Sequence, residues 1–419
     1  MKTISLAAIA AIAVNQAVFG QAPVSFEKGV LLNASDLLPA ELLRGESHRV
    51  RDHAATDGYM AHFEIDSDFG TFDAVGVPQA ARRIAEIGAI RKLVETSKGD
   101  LFAEGMKRSL TQPVDAVKNI VKDPVASVKQ APKTVGHFFS KVGTSIERGA
   151  RRAGDRMRDP ENNTAGEAAK GIGDAARNAA GFDKAKLNTA KQLGIDPYTD
   201  NTRLQEEMDK VTWAFFAGGL PLRIGAAVAS AGVALAATNM MGIPEETYAL
   251  TQSELALRDA RSLAAMGINE SDIRDFQIHA ALSSTRRHRI VLALETLADA
   301  KGRGLIIRQA NSCETPAHAD FLIAALSMLA ERQRSGSASY GSLTVLGRLP
   351  GAIDANGELH VPAPVDHVTW TEEVAGFAGR DDLGDNQKVL LHTGKLSETA
   401  VGGFTAKGWR CVGVAYPRL

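Results

Sequence analysis

Hydrophobic positions between residues 24 and 58 are too scattered to set a period, and this stretch reads as short helical pieces joined by polar loops. The pattern sharpens at Tyr59. Tyr59, Ala61, Phe63 and Ile65 alternate with Met60, His62 and Glu64, Asp66 to Gly70 has the composition of a turn, and Thr71 to Val77 alternates again, which predicts a β-hairpin. Ile84, Ile87, Ile90, Leu93 and Val94 follow at three- and four-residue intervals, so an amphipathic helix over 80–98 is expected to cover the hairpin.

From Phe102 to Arg158 a stripe of Val114, Val117, Val121, Val125, Val128, Val135, Phe138, Phe139, Val142 and Ile146 runs through a strongly basic background. Twelve Lys/Arg stand against five Asp/Glu there, a local charge of +7 in a chain whose formal net charge is -1. Pro113 to Lys118 and Pro124 to Lys129 repeat with an eleven-residue offset, three helical turns. Pro113, Pro124 and Pro132 would each break a continuous helix but suit a first turn, which predicts short helices joined by kinks. The basic face comprises Lys107, Arg108, Lys118, Lys122, Lys129, Lys133, Lys141, Arg148, Arg151 and Arg152. Such a ribbon either packs its valines on the protein's own core with the lysines solvated, or lies on an anionic membrane surface or an acidic protein partner.

Residues 159–182, rich in Ala, Gly and Asn, read as a linker, and 183–194 as a short helix. The loop Asp196 to Asn201 supplies an N-cap for a helix beginning near Leu204. That helix leads into a hydrophobic hairpin over 213–243, whose second limb, Ile224 to Ile243, carries no charge; it is either a buried helix or a marginal membrane insertion. Helices are expected at 251–265, 269–283, 286–300 and 315–334. After the small-residue stretch 336–342, extended runs at Leu343 to Leu349 and Glu358 to Val361 surround Asn356-Gly357, a strong hairpin signal. Thr369 to Phe377 reads as helix, and Lys388 to His392, Ser397 to Lys407 and Trp409 to Ala415 as a βαβ unit.

The expected fold class is therefore mainly α with α+β parts: a helical middle region and a small C-terminal α+β domain containing the βαβ unit. Its divisions are 1–20, 21–101 (hairpin plus helix), 102–158 (basic segment), 159–182 (linker), 183–335 (helical) and 336–419 (α+β).

His62 to Val77, Lys191 to Asn201 with Leu204-Gln205, and Gly394 to Trp409 resemble phrases that recur in a group of large exported bacterial proteins without a characterised function. The resemblance implies a shared architecture and an export route, and it transfers no catalytic residue.

Residues 1–20 support export independently. Lys2, the uncharged run Ile4 to Val14, and Val18 and Gly20 ahead of Gln21 have the layout of a cleavable signal peptide, with an apolar core too short to span a bilayer. The destination is then periplasmic or secreted. In an oxidising compartment Cys313 and Cys411 either form a disulfide or remain as buried thiols.

Little else suggests chemistry. Gly171-Ile172-Gly173-Asp174-Ala175-Ala176 fits a dinucleotide fingerprint, yet helix formers rather than a strand precede it. Asp66, Asp68 and Asp73 resemble a calcium loop but place Val77 where the final Glu belongs, and a hairpin turn explains them. His279, His318 and His392 lack zinc-ligand spacing, no G-x-S-x-G elbow occurs, and the basic segment lacks the interleaved aromatics that stack nucleic-acid bases. Thr393, Gly394 and Lys395, ahead of the helix at Ser397, form a candidate anion site. No metal or cofactor is expected. Three readings follow: an envelope-associated binding or scaffold protein using the basic segment, a hydrolase-like or ligand-binding enzyme using the C-terminal α/β cleft, and a membrane-inserting secreted protein.

Overall fold

The computed structural model describes residues 26–111, 181–222, 224 and 242–417. Ala61, Phe63 and Ile65 point inward on alternate positions, and this makes their strand the centre of a five-stranded antiparallel sheet. The sheet comprises β1 (Leu31–Asn33), β2 (His48–Val50), β3 (His53–Thr56), β4 (Ala61–Ser67) and β5 (Gly70–Val75). β5 runs along one edge of β4, while β3 and β2 share the other, and β1 extends the sheet beyond β3. A short helix, α1 (Ala40–Leu43), lies between β1 and β2. Ala80, Ala81, Ile84 and Ile87 of α2 (Val77–Thr96) close the core on this sheet.

The far half of α2 belongs to a second core. Ile90 and Leu93 meet Ala190 of α4 (181–193) and Leu204, Met208, Val211 and Phe215 of α5 (Thr202–Ala217). Helix α3 (Asp100–Thr111) crosses α5 so closely that a Cβ on Gly105 would sit 2.6 Å from the Ala214 carbonyl oxygen. Glycine is required there for contact between the two backbones.

A helical layer follows: α6 (Glu245–Ala249), α7 (Gln252–Ala265), α8 (Glu270–Ile278), α9 (Ser284–Thr296), α10 (Arg303–Asn311) and α11 (Pro316–Arg334). It packs on a mixed sheet ordered β12-β10-β8-β7-β6, built from β6 (Tyr340–Leu346), β7 (Leu349–Asp354), β8 (Leu359–Ala363), β10 (Lys388–His392) and β12 (Trp409–Gly413). Tyr340, Leu343, Ala352, Val389 and Leu391 face the helical layer. Leu346, Leu359, Val361, Leu390 and Trp409 face α12 (Glu372–Ala378) and α13 (Glu398–Ala406) on the opposite side. β8, β10 and β12 are parallel, with α13 as the crossover between the last two. Two short parallel strands, β9 (His367–Val368) and β11 (Lys395–Leu396), complete the C-terminal part.

The expectation of a mainly α chain with a small α+β end is therefore corrected: the described residues hold two five-stranded sheets and a two-stranded one. β1, β2 and β3 occupy the stretch expected to hold short helices and loops. Strands of three or four residues contain at most two alternations, too few for a period to show. Leu343 to Leu349 is split into β6 and β7 by Gly347, whose positive φ of 64° turns the chain. Helix α10 stands where no element was expected, and α8 ends at Ile278 rather than 283. The linker at 159–180, most of the basic segment and the limb 225–241 lie outside the described residues. Among those described, no helix is long and apolar enough to cross a membrane.

The two sheets meet at Asp366. Its carboxylate accepts hydrogen bonds from the Ala61 N–H (2.9 Å) and from the Val77 N–H (3.2 Å) in the first turn of α2. Backbone pairing adds to this junction, with Asp366 N–H donating to the Tyr59 carbonyl and Thr369 N–H to the Gly58 carbonyl. Burial pushes the Asp366 carboxyl up to about 6 against the pull of the two N–H donors. A folded-state pKa above the unfolded value favours the protonated native state, so stability falls as pH rises from about 4 to about 6. The shift corresponds to a few kcal/mol at most. In urea unfolding, the stability of wild type relative to Asp366→Asn should decline between pH 4 and pH 7; a pH-independent difference would show that the carboxyl does not titrate in this window.

Candidate functional site

Only the root of the basic segment can be placed. In α3, Met106 is half-buried, Lys107 is exposed, and Arg108 pairs with Glu104 on the exposed side. Lys210 of α5 lies 5.8 Å above the Phe102 ring. Lys118, Lys122, Lys129, Lys133, Lys141, Arg148, Arg151 and Arg152 lie outside the described residues, as does the dinucleotide-like stretch 171–176.

The turn expected to bind an anion is partly closed by internal hydrogen bonds. Thr393 N–H donates to the Ala363 carbonyl and Lys395 N–H to that of Asp366, while the Thr393 hydroxyl donates to Val365 O at 2.8 Å. A Cβ on Gly394 would lie 2.1 Å from the Asp366 carbonyl oxygen. At the start of α13, the Glu27 carboxylate accepts from the Ser397 hydroxyl (2.6 Å) and the Trp370 N–H (2.5 Å). Burial raises the Glu27 carboxyl, but these donors outweigh it and hold it below its ordinary value. The Thr393 donors and the Lys395 N–H are thus spent within the fold, while the Lys395 side chain is exposed.

Cys313 and Cys411 are both free thiols. Cys313 belongs to the core on the helical side of the mixed sheet, whereas Cys411 packs with the core on the other side. The sheet separates them, so the disulfide alternative is corrected. His392 Nδ1 bonds the Gly394 carbonyl oxygen at 2.8 Å, and Asp66 pairs with Arg51 and Thr71 across the first hairpin.

A cluster that the sequence reading missed joins Asp354, Glu358 and His360, whose ligand atoms lie within 4.8 Å of one another. Each has other work. Asp354 accepts from the N–H groups of Asn356 and Glu358 in the β7–β8 turn, and Glu358 takes Arg410 on both oxygens (2.9 and 2.7 Å). His360 shares a 3.0 Å hydrogen bond with the Tyr340 hydroxyl, and burial lowers its pKa. Internal partners account for all three side chains.

The densest polar arrangement lies where α2, the 196–201 loop, α9 and α11 converge. Asp320 of α11 takes Arg82 of α2 at 3.0 Å and Arg286 of α9 at 2.8 Å. Arg286 reaches on to Asp200 (2.8 Å), which also holds Arg83 (2.6 Å), and Arg83 pairs with Glu86 (2.7 Å). Glu86 accepts from Thr199 and from the Asn201 amide (2.9 Å), while Asn201 caps α5 through Leu204 N–H. Burial alone would raise the Asp320 carboxyl, but Arg82, Arg286 and Arg289 hold it well below the usual carboxylate range. The loop that reads as a helix cap is thus also the hub of a charged junction. Adjacent arginines at 82–83 and the run Arg286-Arg287-His288-Arg289 were the available signal, since both interrupt otherwise apolar helix faces.

No protein family, no curated protein and no solved structure matches this chain. Its function must be argued from its own residues.

The thiol assignment has a direct consequence. Burial pushes the Cys313 thiol up to about 11, which suppresses the reactive thiolate at neutral pH. Protein prepared without reductant should titrate two thiols per chain in denaturant, and in the native state Cys411 should label well ahead of Cys313. A count near zero in denaturant would establish the bridge instead.

Proposed function

We propose that this chain is an exported, envelope-associated binding or scaffold protein whose basic segment, 102–158, docks on an anionic membrane surface. The observation that carries the reading is the concentration of charge: +7 sits in fifty-seven residues of a chain that is otherwise slightly acidic, interspersed with recurring valines and phenylalanines. Each Lys or Arg near anionic headgroups contributes up to about 1 kcal/mol, so a row of them is effective where one is not. Two features of the folded body favour attachment over catalysis. The turn at Thr393 to Lys395 is partly closed by internal hydrogen bonds, and the root of the basic segment is fixed to α5 through Gly105. A rigid body with a tethered basic arm suits a scaffold.

Sedimentation with vesicles tests this. The mature protein should bind vesicles rich in anionic lipid at low salt, bind phosphatidylcholine vesicles weakly, and be released as salt screens the lysines. Replacing Lys118, Lys122, Lys129 and Lys133 with Glu should weaken anionic binding about a hundredfold or more. Equal affinity for both vesicle types, or none for either, would refute the membrane reading; an acidic protein ligand would then be the remaining use of the charge.

A further inference from the structure

At the heart of the charged junction lies a small pocket walled by Arg82, Asp196, Thr285, Arg286, Arg289 and Asp320, with Ile243 closing one side. The centre of a water-sized sphere has about 10 Å³ in which to move, room for one water molecule or one monatomic ion. Three guanidinium groups border this space. Arg82 and Arg286 are compensated by Asp320, and Arg286 also by Asp200. Arg289 has no direct pair: it is only 8% exposed, its Nε has no hydrogen-bond partner, and it forms no ion pair among the described residues, so Asp320 acts on it only at longer range.

A buried guanidinium without a direct partner is costly for a fold to carry. Burial and the neighbouring Arg82 lower the Arg289 pKa to about 10, which still leaves the group charged at neutral pH. A water molecule in the pocket would satisfy hydrogen bonds but not charge. Three guanidiniums repel a metal cation, and a phosphate or carboxylate is larger than the space. The remaining wall agrees with an anion. Asp196 Oδ1 already accepts from the Thr285 hydroxyl (2.5 Å) and the Tyr198 N–H (2.9 Å), and burial pushes this carboxyl up, towards its neutral, donating form.

The geometry points to a binding site for a single halide-sized anion, held between Arg289, Arg82 and Arg286 in the pocket that joins α2, α9 and α11. The anion completes the charge balance of the junction and acts as a structural ion. Chloride is the natural occupant by size and charge. The site is independent of membrane docking, since none of its walls belongs to the basic segment.

Thermal unfolding of the full chain in sodium chloride, bromide and gluconate at equal ionic strength reads out the site, because gluconate is too large to enter. Chloride and bromide should raise the midpoint over gluconate by about 2 °C or more, the usual consequence of an ion that binds only the native state. Arg289→Met should abolish the difference, and Arg289→Lys should retain part of it. Crystals of the wild-type protein grown in bromide should show an anomalous peak beside Arg289, which decides the matter even if Arg289→Met does not fold. Equal wild-type midpoints in the three salts, with a water or nothing beside Arg289, would overturn the proposal. A bromide peak without any shift in midpoint would mark an adventitious ion only, and would overturn it too.

Discussion

Asp320 carries a negative charge in the second turn of α11, where its neighbours Ala319, Leu322, Ile323 and Leu326 are buried apolar side chains. A carboxylate there is tolerable only if cations are delivered to it, and they come from opposite directions, Arg82 from the first helix of the N-terminal sheet and Arg286 from the helical layer. This requirement fixes the relative placement of three parts of the chain at once. Asp200 repeats the arrangement a few ångströms away by holding Arg83 and Arg286, and Glu86 with Asn201 ties the same junction to the start of α5. Apolar contacts supply most of the stabilisation of each layer, but they are forgiving about register. Directional ion pairs between named side chains are not.

Asp366 works on the same principle at the second junction, with backbone donors in place of arginines. Its two acceptor bonds, to Ala61 and Val77, place the first sheet against the C-terminal layer, and Glu27 straps the beginning of the described chain to the start of α13. The N-terminal and C-terminal parts thus form one body joined by carboxylates. Helix α3, the described start of the basic segment, is held to that body where Gly105 lets it lie directly on α5.

Long periodic segments were legible from the residues alone. The β4–β5 hairpin, α2, α7, α9, α11 and the closing β10–α13–β12 unit each carry enough repeats, or a strong enough punctuation mark such as Gly408, for the period to declare itself. The short strands β1 to β3 were not legible, because their identity comes from pairing with β4 rather than from their own three or four residues. The charged junction was hidden for a different reason. Arg82, Asp200, Arg286 and Asp320 are spread over more than two hundred residues, and nothing in one sequence says which surface-type residue will be buried. The turn at Gly394 shows the converse: a local pattern read as a free loop is packed against Asp366, and the Ser397 hydroxyl beside it is taken by Glu27, both from elsewhere in the chain.

The most direct test of this account is a double-mutant cycle on Arg82 and Asp320, measured by urea unfolding with Arg82→Met, Asp320→Asn and the pair. Asp320→Asn leaves Arg82 without its ion-pair partner and should cost about 3 kcal/mol or more, Arg82→Met leaves Asp320 with Arg286 and should cost less, and the double variant should cost less than the sum by about 1–3 kcal/mol. Additivity within about 0.5 kcal/mol would mean the two side chains do not act on each other, and the junction would lose its place as the constraint that orders the fold.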